Sequence, residues 1–144
     1  MGRQKRVPGA EVMALNPADV ERVVGGDVTG VHAIRTASQD DLRSAWERSS
    51  KPVLSAAAVR RVLHDLMTGE ADPELVQMWG SFIMRGHLQS IGPLRPIDVE
   101  YEPRYEDQII EAIAVLEQIG DLIDGDPSEA QLRQLIADLS ESDQ

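Results

Sequence analysis

The chain contains, in two places, the same order of residues between two amphipathic segments. Gly69 is followed by Asp72-Pro73-Glu74, and Gly125 is followed by Asp126-Pro127-Ser128-Glu129. Glycine commonly ends a helix, whereas an acidic or hydroxyl cap with proline close behind it begins one. Both stretches therefore predict a helical hairpin with a short turn.

Apolar residues recur at helical spacing on both sides of these turns and in the N-terminal third. Further helices are predicted to begin at Asn16-Pro17, at Ser38, at Ser55 and after Pro103, and the last of these is predicted to continue through Ile123 to a stop at Gly125. The predicted core positions are Val20, Val23, Val24, Leu42, Ala45, Trp46, Val59, Val62, Leu63, Leu66, Met67, Leu75, Trp79, Phe82, Ile83, Ile109, Ile113, Leu116, Ile119, Ile123, Leu132, Leu135, Ile136 and Leu139.

Two segments lack a clear helical period. Val28–Ile34 is compatible with a short strand, and Ile97–Tyr101 alternates apolar and acidic residues, as an edge strand or an extended connector does. If both are extended, they could pair with each other.

The predicted fold is mainly α, a single-domain bundle of five to six helices built from helical hairpins, with room for one short β pairing. At 144 residues the chain is long enough for one core and short for two. Residues 1–15 are interpreted as a basic flexible tail and residues 16–144 as a single helical domain. Residues 16–50 leave open a separate N-terminal helical module.

Negative charge is concentrated in the C-terminal third. From Tyr105 to Leu132 the chain carries eight acidic side chains and no Lys or Arg, within a net charge of −11. At 100° per residue, Asp107, Glu111, Gln118 and Asp121 share one face of the predicted long helix with Ile110. Charge of this kind bears on partners and solubility rather than on fold.

Three interpretations of the acidic face follow. It could simply be solvated, or it could pair with cations from elsewhere, such as Arg60, Arg61 or the basic tail. It could also be a docking surface for a basic partner, which Ile110 and Ala114 favour because interfaces need an apolar centre inside a polar rim.

Several classes of function find no support in the sequence. The three histidines lie in different segments without ligand spacing, no serine lies in a nucleophile motif, and no glycine-rich phosphate loop is present. We therefore predict no enzyme activity, no metal site and no cofactor. The negative charge argues against direct nucleic-acid binding, and the lack of a long apolar run argues against membrane insertion. The expectation is a cytoplasmic protein, a monomer or weak homodimer.

The segment Leu63–Glu70, followed by Asp72–Trp79, resembles a pattern in small helical immunity proteins of bacterial toxin systems. There a helix ends in a Gly-Glu turn, and the next helix begins with an acid and reaches a Trp. Ile97 to Leu139 is similar in character to the same proteins, so the resemblance covers roughly residues 55–140. The families are the immunity proteins of contact-dependent-inhibition and polymorphic-toxin systems.

The resemblance implies an immunity protein that binds one cognate toxin domain and blocks its active site or substrate groove. Many such toxins are basic nucleases, so an acidic helical surface would suit the partner. The alternative is a non-enzymatic regulatory or adaptor domain, such as a DNA mimic or anti-activator, that uses the same surface. The candidate partner-binding residues are Asp98, Glu100, Tyr101, Glu102, Asp107, Ile110, Glu111, Gln118 and Asp121.

Overall fold

A computed structural model describes residues 15–88, 96–120 and 126–140 of the chain. Within these ranges the fold is mainly helical, as predicted, with seven α-helices and two 3₁₀ helices. The 3₁₀ helices are Val28–Gly30 and Pro103–Tyr105. The α-helices are α1 (Pro17–Val24), α2 (Val31–Thr36), α3 (Gln39–Arg48), α4 (Ala56–Thr68), α5 (Pro73–Arg85), α6 (Glu106–Glu117) and α7 (Glu129–Leu139).

The predicted helix starts are confirmed where a side chain caps the first turn. The Ser55 hydroxyl accepts from the Ala58 amide at 3.1 Å, and the Asp72 carboxylate accepts from the Glu74 amide at 3.0 Å. Asn16, Ser38 and Ser128 cap α1, α3 and α7 in the same way. These bonds join residues two or three positions apart and satisfy amides that have no partner in the helix, so local sequence is enough to predict them.

The segment Val28–Ile34 is helical, and the prediction of a short strand there was wrong. Asp27 caps the 3₁₀ turn Val28–Gly30, which continues directly into α2. Val28, Val31 and Ile34 are buried at a spacing of three residues, which places them on one side of a helix. This short helix raises the number of α-helices above the predicted five to six.

The predicted long helix ends at Glu117 rather than at Ile123. The Gln118 amide bonds to the Val115 carbonyl at 3.2 Å and the Ile119 amide to the Leu116 carbonyl at 3.2 Å, so the last turn tightens to a 3₁₀ pattern. Gly120 then has a φ of +92°, a conformation outside the right-handed helix. The predicted continuation through Asp121 and Ile123 lies outside the described residues.

The α5 helix lies at the centre of the packing. Trp79 and Phe82 have no exposed surface, and α5 contacts α6, α4, α2 and the first 3₁₀ helix. The Trp79 indole Nε1 donates to the Val23 carbonyl oxygen at 2.7 Å, which ties α5 to the end of α1. Residues of the N-terminal third, such as Val20 and Leu42, belong to the same cluster of buried side chains.

Most predicted core positions are buried, five others lie at the edge of the core, and Ile123 lies outside the described residues. Leu66, Met67, Leu75, Ile119 and Ile136 are partly buried and pack against the main cluster. The most extensive contacts between helices are those of α5 with α6 and of α4 with α7.

The segment from residue 96 to Glu102 is an extended connector between α5 and α6, in agreement with its alternating sequence. Ile97 and Val99 are buried while Asp98 and Glu100 are exposed. The Ile97 amide donates to the Gly86 carbonyl at 2.9 Å. The predicted pairing with Val28–Ile34 does not occur, because that segment is helical; Tyr101 instead forms an isolated parallel bridge with Leu54.

We expect Gly86→Ala to destabilise the fold far more than Gly69→Ala. Both glycines end a helix with positive φ, at +78° and +82°. A β-carbon at Gly86 would overlap the Ile97 carbonyl and reach the Ile97 amide nitrogen at 3.0 Å, whereas one at Gly69 would meet nothing within 4 Å. The expected losses in free energy of unfolding are about 2–4 kcal/mol and about 1 kcal/mol, respectively, measured by urea denaturation. Equal losses would show that the connector does not depend on this contact.

Trp79→Phe should cost more than Trp46→Phe. The first change removes the indole hydrogen bond to the Val23 carbonyl, which keeps the Gly26 amide as a donor at 3.0 Å, so the expected cost is about 1 kcal/mol beyond the lost ring atoms. Trp46 is also buried, but its indole N–H has no hydrogen-bond partner among the described residues, so it serves as the matched control. Urea denaturation followed by circular dichroism would measure both, and a cost at Trp79 no larger than at Trp46 would contradict the role of this bond.

Candidate protein-binding groove

A groove opens where the end of α5, the extended connector and the start of α6 meet. It encloses about 460 Å³. We name it the acidic groove. The residues that line it are Ile83, Met84, Ile97, Asp98, Val99, Glu100, Tyr101 and Glu106.

The walls of the groove follow from the packing of α5 against α6. The Gln77 side-chain amide donates to the Glu117 carbonyl at 3.0 Å, while Met84 and Glu106 line the groove together. The two helices are therefore antiparallel. Gly80 permits their close approach, because a β-carbon there would lie 3.3 Å from the Glu117 amide nitrogen.

The connector is held at both ends of the groove. At one end the Ile97 amide bonds to Gly86, and at the other the Glu102 amide donates to the Leu54 carbonyl at 2.9 Å. The Glu102 carboxylate also accepts from the Ala56 amide at 2.8 Å, in the first turn of α4. Since its carboxylate already binds the helix start, Glu102 positions the connector.

Three carboxylates surround the groove without a cationic partner among the described residues. Asp98, Glu100 and Glu106 are exposed and form no ion pair or side-chain hydrogen bond there. Tyr101 lies half-buried between them. Burial raises the pKa of its phenol, and the charges of Asp98 and then Glu106 raise it further.

The exposed face of α6 extends this negative surface away from the groove. Asp107 and Glu111 are exposed and have no ion pair or side-chain hydrogen bond among the described residues, and Ile110 between them is 48% exposed. Asp107 and Glu111 are like charges at four-residue spacing, which costs roughly 0.2–0.5 kcal/mol in a helix. The face therefore combines unpaired acids with an apolar side chain.

Within the described ranges, two arginines form ion pairs with acids of the C-terminal third. Arg85 of α5 pairs with Glu117 at 2.7 Å, and Arg133 pairs with Glu129 at 2.6 Å. Arg60 donates instead to the Leu139 carbonyl at 2.7 Å, at the end of α7. Neither ion pair involves the groove, so its carboxylates have no cationic partner among the described residues.

The structure brings together some of the predicted partner-binding residues and separates others. Asp98, Glu100 and Tyr101 line one groove, whereas Asp107, Ile110 and Glu111 lie on the adjoining face of α6. Gln118 is exposed in the turn after α6, at the far end of a helix of 12 residues, about 18 Å long. Asp121 lies outside the described residues.

Glu106 and Met84 were missed as site residues. Met84 is 45% exposed although it belongs to the well-buried helix α5. A sequence signal for it existed, since Met84 falls outside the helical spacing of Trp79, Phe82 and Ile83. Its position beside Glu106 could not be predicted, because about twenty residues separate the two in the chain.

A metal-binding cluster and a membrane-spanning helix are both absent from the part of the chain that the structure describes. No three His, Asp or Glu side chains there come close enough to hold a metal ion. None of the helices in the same ranges has the length and apolar character needed to cross a bilayer.

Comparison of the chain with protein-family models, with curated proteins and with solved structures gave no match. The functional interpretation therefore depends on the geometry and charge of the acidic groove.

Tyr101 provides a spectroscopic test of the groove. Its raised pKa means that the native state favours the protonated phenol, so this stabilisation is present below the ordinary pKa of 10.0 and is lost as pH rises through the raised value. In an alkaline titration followed at 295 nm, Tyr101→Phe should remove the component that ionises above the ordinary range. Asp98→Asn should lower its pKa while burial keeps that pKa above 10.0. A titration curve unaffected by Asp98→Asn would show that this carboxylate does not act on the ring.

Proposed function

We propose that the protein is a non-catalytic immunity protein that binds a basic toxin domain through the acidic groove and the adjoining face of α6. One observation carries the proposal: Asp98, Glu100 and Glu106 surround a concave site and have no cationic partner in the described ranges. Two exposed apolar side chains, Met84 and Ile110, supply the contact area that a solvated acidic face does not need.

Electrostatic attraction explains how such a site would select a cationic partner. A net charge of −11, with open carboxylates around one groove, raises the rate of encounter with a basic domain and repels acidic competitors. Affinity would come from the buried centre of the interface, where Met84, Ile110 and the ring of Tyr101 can exclude water. Salt should therefore slow association more than it speeds dissociation.

Neutralisation follows if the bound surface of the toxin is its substrate groove. A nuclease binds phosphates through Lys and Arg side chains, and carboxylates presented at the same positions compete with the nucleic acid. The resemblance of residues 55–140 to immunity proteins supports this specific form of protein binding. Genome neighbourhood would identify the partner, since an immunity gene lies directly after a toxin gene.

Charge reversal at one exposed acid should show whether the partner binds at the groove or elsewhere on the surface. We expect Asp98→Lys to weaken binding to the toxin domain encoded beside the gene by about tenfold, mainly by slowing association. Glu70→Lys is the matched control, because Glu70 is also an exposed acid outside the helices and has no ion pair or side-chain hydrogen bond among the described residues. Surface plasmon resonance at two salt concentrations would measure the rates, and thermal unfolding should be nearly unchanged in both variants.

Co-expression of each variant with the toxin domain tests neutralisation in cells. The wild-type chain and Glu70→Lys should protect cells from the toxin domain, and Asp98→Lys should protect them less. Equal affinity of the two variants would exclude the groove as the binding site. Tight binding without protection would favour the alternative, a regulatory or adaptor domain that uses the same surface.

A further inference from the structure

The extended connector is hydrogen-bonded along only part of its length. On one edge, Leu54 accepts from the Glu102 amide at 2.9 Å and donates to the Glu100 carbonyl at 2.8 Å. In an extended chain the main-chain groups of alternate residues point to opposite edges. Glu100 and Glu102 therefore face Leu54, while Val99 and Tyr101 face the other edge.

The second edge is open at Val99 and Tyr101. The amide and carbonyl groups of these two residues have no hydrogen-bond partner within the described ranges, whereas the Ile97 amide on the same edge is satisfied by Gly86. Both residues line the acidic groove. An extended chain placed there could form up to four main-chain hydrogen bonds, two with each residue.

We infer that this edge binds an extended basic segment of the protein partner by strand addition. The inference rests on the proposed function and specifies how the partner is recognised. Main-chain bonds to Val99 and Tyr101 would fix the segment, and its side chains would alternate between the two faces of the strand pair.

Side-chain chemistry defines the segment that fits. Asp98 and Glu100 are exposed on the outer face of the connector, so the partner residues opposite them should be Lys or Arg. Val99 and Tyr101 face inward, so the partner residues opposite them should be apolar, with Met84 beside them in the groove. The expected pattern is basic, apolar, basic, apolar.

Charge also argues against a second copy of this chain as the occupant. Edge-to-edge pairing of two connectors would place Asp98 and Glu100 of one copy beside the same acids of the other. Like charges directly opposite each other destabilise a strand pair. A cationic segment removes this repulsion and neutralises the acids.

The experiment uses the full-length protein and the synthetic peptide acetyl-Lys-Val-Lys-Val-Lys-Val-Lys-amide. Amide hydrogen exchange followed by NMR should show protection of Val99 and Tyr101 rising about tenfold or more when the peptide binds, with Leu54 and Glu102 unchanged because they are already bonded. In an antiparallel pair the valines opposite Val99 and Tyr101 exchange both main-chain hydrogen bonds with them, so for a segment bound in this direction N-methylation of the valine nitrogens should weaken binding about tenfold or more. N-methylation of the lysine nitrogens is the control and should change affinity by less than about threefold.

The outcomes separate the inference from the proposed function. One outcome would overturn strand addition while supporting the acidic surface. In it, Asp98→Lys abolishes peptide binding, but the bound peptide leaves Val99 and Tyr101 unprotected and both methylated peptides bind with the same affinity. Affinity unaffected by Asp98→Lys would count against the proposed function itself. Absence of peptide binding would overturn strand addition. Val99 and Tyr101 could also be protected already in the free chain. If that protection is lost when Arg3, Lys5 and Arg6 are replaced by Ala, the edge binds the chain's own N-terminal segment, and strand addition by the partner is overturned.

Discussion

Burial of α5 organises both the fold and the candidate site. Trp79 and Phe82 are fully enclosed, and the indole of Trp79 donates to the Val23 carbonyl, so one helix connects the N-terminal helices to the C-terminal ones. Gly80 allows α6 to approach the backbone of α5. At the end of the same helix, Gly86 takes a positive φ and accepts a hydrogen bond from Ile97. A helix buried on several sides thus determines where the connector begins, and the connector forms one wall of the acidic groove.

The negative charge is tolerated because it lies on the outside of this packing. Like charges along α6 cost little when water and salt screen them, and the buried side of the helix offsets that cost through Ile109, Ile113 and Leu116. Arg85 and Arg133 neutralise Glu117 and Glu129, whereas the acids at the groove have no such partner among the described residues. The groove therefore differs from the rest of the acidic segment in that its negative charge is uncompensated among the described residues.

Much of the site could be predicted from the sequence, but its arrangement could not. Asp98, Glu100 and Tyr101 were identified from the alternating connector and Glu111 from the helical period, because both patterns are local. Glu102 was predicted to contact the partner, and the structure shows that its carboxylate accepts a hydrogen bond from the Ala56 amide, 46 residues away in the chain. Glu106 and Met84 were missed for the same reason, since their proximity depends on how α5 and α6 pack. The end of α6 at Glu117 was also missed, because the helical apolar spacing continues past the point where the backbone turns.

The sequence by itself determined the helical class, the helix starts and the segregation of charge. Caps, glycine stops and apolar periods act over a few residues, so their consequences can be read along the chain. Only the tertiary structure decided that Val28–Ile34 is helical, that Tyr101 pairs with Leu54, and that Asp98, Glu106 and Met84 share one groove. These features depend on contacts between residues far apart in the chain, and local preferences are too weak to specify them when several packings would bury the same apolar faces.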